Sequence, residues 1–86
     1  METVETEKRQ GKTLSEEELN KIRFVTFMHI YFASAYKMNK QAAYFYLKKY
    51  GGWDYLTENW WALHIDNPDH VVEELYEICY RNGGLR

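Results

Sequence analysis

The sequence predicts an all-α protein: a compact four-helix bundle with a long central first helix and a disordered N-terminal leader. Three observations carry this expectation. Apolar residues recur at helical spacing from Leu19 to Cys79, capping residues stand where those stretches begin, and no stretch shows the alternation between hairpin turns that marks strands. With 86 residues there is room for one domain. Its expected stability is on the order of 5–10 kcal/mol.

Residues 1–13 mix acids, bases and small polar groups without periodicity and read as the leader, ahead of a helical domain over 14–86. Ser15 and Glu18 have the spacing of a capping box, in which each side chain bonds the other residue's amide. Glu16, Glu17 and Glu18 also suit the positive end of a helix dipole. The first helix is expected from Glu16 to Tyr36. Leu19, Ile22, Val25, His29, Phe32 and Tyr36 form one stripe along it, and Phe24, Met28, Tyr31 and Ala35 a second. From Phe24 onward this helix is apolar on most sides, which predicts that the others pack around it. Asn39 is placed to cap a second helix from Lys40 to Tyr50, stopped by Gly51 and Gly52. Trp53 to His64 reads as a single third helix, with Leu56, Trp60 and Leu63 on one face. Asn67 as cap, Pro68 at the first helical position and Asp69 in the first turn open the fourth. Its stripe is Val71 or Val72, Leu75, Ile78 and Cys79, and Gly83-Gly84 ends it. Loops of two to four residues between these helices imply a bundle.

Composition narrows the function. The net charge of -2 lacks the basic excess by which nucleic-acid binders neutralise phosphates. One cysteine, Cys79, fits a reducing compartment. The segment METVETEKRQGKT has no apolar core of signal-peptide type, and the run Phe24 to Tyr36 is too short to span a bilayer. The expectation is a cytoplasmic protein without membrane attachment. Aromatics make up 17% of the chain, more ring area than so small a core readily hides.

Helical geometry says which rings are surplus, because successive residues point about 100° apart. Ala43, Tyr46, Leu47 and Tyr50 make the buried face of the second helix. Tyr44 and Phe45 then fall beside Lys40, Gln41, Lys48 and Lys49. In the third helix Trp61 lies over Thr57 and Glu58, near His64. Tyr44, Phe45 and Trp61, ringed by Lys48, Lys49 and Glu58, are therefore the expected partner-binding residues, since exposed Trp and Tyr are enriched in binding hot spots. The occupant would be another protein or a second copy in a homodimer.

No constellation of catalytic type is present. His64, Asp66, Asp69 and His70 are close in sequence, but they straddle two helices, and capping and dipole chemistry explain them. His29 reads as a hydrogen-bonded core histidine and Cys79 as a small hydrophobe. Gly51-Gly52 is a helix stop, with none of the phosphate-cradling pattern, so no cofactor, no metal and no enzyme activity are expected. A helix-turn-helix across Gly51-Gly52 is the DNA-binding alternative. Its recognition helix would read WDYLTENWWALH, with two acids and no Lys or Arg to offer a base edge.

The apolar first helix, then MNKQAAYFYLKKYGGWDYL, WWALH and an acidic turn into VVEEL, make one further pattern from Phe24 to Gly84. With Lys49-Tyr50-Gly51, Tyr55-Leu56 and Leu63-His64, it resembles a family of small bacterial domains of unknown function, number thirty-seven ninety-one. The chain departs from that family in carrying Phe45 and Trp61 where members often have polar residues. It also has Ile65-Asp66-Asn67-Pro68 in place of a Gly-containing turn. Such domains are encoded beside, or fused to, a domain that looks like an ADP-ribosyltransferase. The resemblance thus implies a non-catalytic protein-binding role, as an accessory or antitoxin-like partner of a bacterial toxin-like enzyme. The alternatives are a DNA-binding domain and a homodimeric structural domain.

Overall fold

Three helix starts follow their caps. In the computed structural model, which describes residues 14–84, Ser15 accepts from the Glu18 amide at 3.1 Å and Glu18 accepts from the Ser15 amide at 2.9 Å, opening α1 (Glu16–Ala35). Asn39 accepts from the Ala42 amide at 2.7 Å and opens α2 (Lys40–Lys49). Asn67 accepts from the Asp69 amide and, with Pro68 in the first turn, opens the last helix. The leader expected over 1–13 lies outside the described residues. Among those described there is no strand, and no helix is long and apolar enough to cross a membrane.

The region expected as one third helix is two. α3 (Gly52–Glu58) stops at Asn59, and α4 (Trp60–Leu63) is a single turn before α5 (Pro68–Arg81), so the described residues form five helices instead of four. At Asn59 the backbone leaves the helical basin, with φ -119° and ψ 16°. Its amide and its side-chain Nδ2 both donate to Tyr55 O, and its own carbonyl accepts from the Leu63 amide at 3.0 Å. Asn59 thus ends one helix and begins the next, because its short amide side chain supplies a local bond that competes with the helical ladder.

Gly52 is also not the stop it was expected to be. Gly51 takes the left-handed conformation after α2, with φ 88°, and Gly52 is already the first residue of α3. A Cβ on Gly52 would stand 2.7 Å from Leu47 Cδ2 and 3.0 Å from Cys79 Sγ. The missing side chain lets α3 seat directly against α2 and α5. α5 ends as expected at Gly83, whose φ is 102°. The Gly84 amide donates to Cys79 O and the Gly83 amide to Tyr80 O, a Schellman closure. α1 ends in the same pattern, with Met38 donating to Ala33 O. There the left-handed position is Lys37, at φ 56°.

The core is drawn from all five helices. Met28 and Phe32 of α1, Ala43 and Leu47 of α2, Leu56 of α3, Trp60 and Leu63 of α4, and Val71, Leu75 and Cys79 of α5 are buried. α1 touches each of the other four helices. Its burial is narrower than its apolar composition implied. Leu19, Ile22, Phe27 and Ile30 are all exposed to 37% or more, because a helix has room for neighbours on part of its circumference and here they cover the side of Val25, Met28 and Phe32. In α5, Val71 and Val72 are both buried while Ile78 is half-buried.

Two substitutions probe the tight points. Gly52→Ala should lower stability by about 1–2 kcal/mol in urea unfolding. Leu47 and Cys79 are fully enclosed and cannot yield, so overpacking outweighs the better helix propensity of alanine. Lys37→Gly should raise stability by roughly 0.5–1 kcal/mol by relieving a left-handed residue on an exposed turn.

Candidate functional site

Phe27, Phe45 and Trp61 fall on two separate faces, while Tyr80, also exposed, lies apart on α5, stacked on Tyr76. On the first, α4 lies along the N-terminal half of α1. Trp60 is buried and turns its ring edge-on to Trp61, with centroids 5.3 Å apart. Trp61 is 66% exposed. His64 Nδ1–H donates to Trp61 O at 2.6 Å, and the imidazole packs against both indoles and the edge of Phe24. A groove on one side of Trp61 is lined by Glu16, Glu17, Asn20 and Trp60. A second is lined by Asn20, Arg23, Phe24, Phe27, Trp60 and His64. Phe27 is half exposed and stacks on Tyr31, whose hydroxyl donates to Asp69 at the start of α5. Trp61 is therefore a ridge between two shallow grooves.

The second face holds Tyr44 and Phe45. Tyr44 is half-buried, edge-on to Trp53 at 5.0 Å and beside His29, while Phe45 remains 59% exposed. His29 is half-buried, and its Nε2–H donates to Lys40 O at 2.7 Å. Phe24 and His29, the α1 contacts of the two faces, are five residues apart and so point about 140° away from each other. The ring that was expected to gather Tyr44, Phe45 and Trp61 is thereby divided. Lys48, Lys49 and Glu58 are exposed, and Lys49 Nζ lies 5.4 Å over the Tyr50 ring of its own helix.

Sequence reasoning missed the α1 side of the Trp61 face. Glu16, Glu17, Asn20, Arg23 and Phe27 had been assigned to capping, to dipole chemistry or to no face. The signal was available in Phe27, which falls outside both apolar stripes of α1.

The histidines and aspartates do not converge. His64 is held by Trp61 O, whereas His70 Nδ1 lies 3.3 Å from Asp66 Oδ2. Among the described residues no group of three metal-ligating side chains forms. Burial pushes the Cys79 thiol up from its usual 9.0, partly opposed by a backbone hydrogen bond from Gly52, so the thiolate is disfavoured. The Tyr36 hydroxyl is raised by burial and by the charges of Glu73 and Tyr76. That of Tyr55 is raised by burial, then by its hydrogen bond to Glu74, then by the charges of Glu74 and Asp66. The recognition helix of a helix-turn-helix would be α3, two turns long, exposing Asp54 and Glu58.

The family model described as Protein of unknown function (DUF3791) matches residues 23–82, well over half of the chain. The chain belongs to this family. Its matched span begins within α1, so Glu16, Glu17 and Asn20 of the first groove lie outside it, while Trp60 and Trp61 lie inside. No curated protein and no solved structure matches the chain significantly.

The raised groups hold their protons more tightly folded than unfolded. Their stabilisation is complete below the unfolded values of 9.0 for the thiol and 10.0 for the phenols, and is lost as pH rises through the higher folded values. Urea midpoints should therefore stay level from neutral pH to about 9 and fall beyond it. A disulfide-exchange reagent at pH 8 should label Cys79 only as the protein unfolds.

Proposed function

We propose that this chain is a non-catalytic protein-binding domain, an accessory or antitoxin-like partner of a toxin-like enzyme, and that it engages that partner through the α1–α4 face centred on Trp61. The observation that carries the interface is a largely exposed indole held in a fixed place. Trp60 and His64 pack against it, and the His64 bond to Trp61 O ties the turn beneath it. An exposed ring already held in position loses little conformational freedom on docking. Burying the exposed part of Trp61 would contribute roughly 3–4 kcal/mol of transfer free energy. Phe27 and Phe24 extend the apolar surface along the second groove, and Asn20 and Arg23 form a polar rim, the arrangement typical of a binding surface. The toxin-like enzyme as partner rests on the family resemblance. The interface rests on the geometry.

Affinity capture from the native cells tests this. Wild type is expected to retain a stoichiometric protein partner, and Trp61→Ala to lose it while its unfolding free energy stays within about 0.5 kcal/mol, the usual range for surface changes. Phe45→Ala, on the other face, should capture the partner as wild type does. Full capture by folded Trp61→Ala would rule out this face.

A further inference from the structure

We infer that the partner segment received by the Trp61 face is cationic: an arginine or lysine side chain seated between the Trp61 indole and the carboxylates of Glu16 and Glu17. This rests on the preceding reading and names the chemistry of the occupant. The groove on that side of Trp61 combines two indoles with two carboxylates and one amide. Of the three acids that begin α1, Glu18 is consumed by the capping box. Glu16 and Glu17 are exposed and have no ion-pair partner among the described residues.

The face of a tryptophan attracts a cation through its quadrupole, and a carboxylate beside it attracts the same cation by charge. Both groups here favour one kind of ligand. The positive end of α1 contributes roughly half a charge, which offsets only part of two full negative ones. A phosphate backbone or an anionic surface would meet repulsion at this edge. On the far side of the ridge the second groove sets Phe24, Phe27 and His64 beside Asn20 and the cationic Arg23, so the segment that fits places its basic residue at the Glu16–Glu17 end and apolar residues next to it. Glu16, Glu17 and Asn20 lie outside the family-matched span, so this recognition rests on residues of this chain that the family match does not cover.

The probe is the blocked tripeptide Leu-Arg-Leu, compared with its neutral analogue carrying citrulline for arginine. Titration into the isotope-labelled full chain, read on the Trp61 indole N–H and the backbone amides of residues 16–20, should give saturable shifts with the arginine peptide. The citrulline peptide should bind roughly five- to tenfold more weakly, and Glu16→Gln/Glu17→Gln should weaken the arginine peptide by a similar factor. Equal response to both peptides, or none to either, would overturn the inference. So would the same resonances moving with protein concentration alone, which would name a second copy as the occupant, or moving with a short DNA duplex. The two readings fail separately. If Glu16→Gln/Glu17→Gln still captures the cellular partner while Trp61→Ala does not, protein binding at this face stands and the cation falls. If Trp61→Ala captures it as well, the face itself falls.

Discussion

The approach of α3 at Gly52 sets the position of everything from residue 51 to the start of α5. Leu47 of α2 and Cys79 of α5 both come within 3.0 Å of where a side chain on Gly52 would begin. A helix of seven residues has little stability of its own and must be held by packing. Here the holding is done from two directions at once, and Leu56, one turn further along, is fully buried as a result. With α3 seated, the chain breaks at Asn59 and the single turn of α4 is laid along α1, anchored by Trp60 and Leu63. The candidate surface thus depends on a contact that lies inside the core and carries none of the surface chemistry.

The excess of aromatics is largely absorbed by a second device. Tyrosine buries a ring while its hydroxyl reaches for a distant polar group. Tyr46 packs on Phe32 and donates to Gly84 O at 3.0 Å, tying α2 to the end of α5. Tyr55 donates to Glu74 and ties α3 to α5, and Tyr31 donates to Asp69 and ties α1 to α5. Short helices with few apolar positions gain inter-helix bonds in this way that leucine could not supply. Once these rings are accounted for, the exposed aromatics reduce to Phe27, Phe45, Trp61 and Tyr80.

Caps and helix starts were legible because they are local: Ser15, Asn39 and Asn67 each need only two or three neighbouring residues to act. The buried faces of α2 and α5 were legible for the same reason, through regular spacing. The break at Asn59 was not, since WDYLTENWWALH keeps helical periodicity straight through it, and the competing side-chain bond to Tyr55 O leaves no pattern in composition. Lys37 was equally silent, because any residue can be forced into a left-handed turn when the helices on either side fix its place. The exposure of Phe45 and Trp61 was readable from their angles to buried neighbours. That they face different ways was not, because it depends on which side of α1 each helix docks, and from Phe24 onward α1 is apolar on most sides.

The Trp61 face separates what folding requires from what it leaves free. In a one-turn helix Trp60 and Leu63 bury the same side, and the residue after Trp60 must then project about 100° away from it. Exposure at position 61 therefore follows from the packing of position 60, and any residue would suffer it. The fold does not demand that the residue be the largest apolar side chain available. Nor does it demand that two uncommitted carboxylates stand beside it on α1 when Glu18 already completes the cap. A serine at position 61 would serve α4 as well, and Glu16 and Glu17 add only the modest dipole stabilisation of a first-turn acid, a few tenths to about 1 kcal/mol each. The identities of these side chains, more than their positions, are what point to a partner.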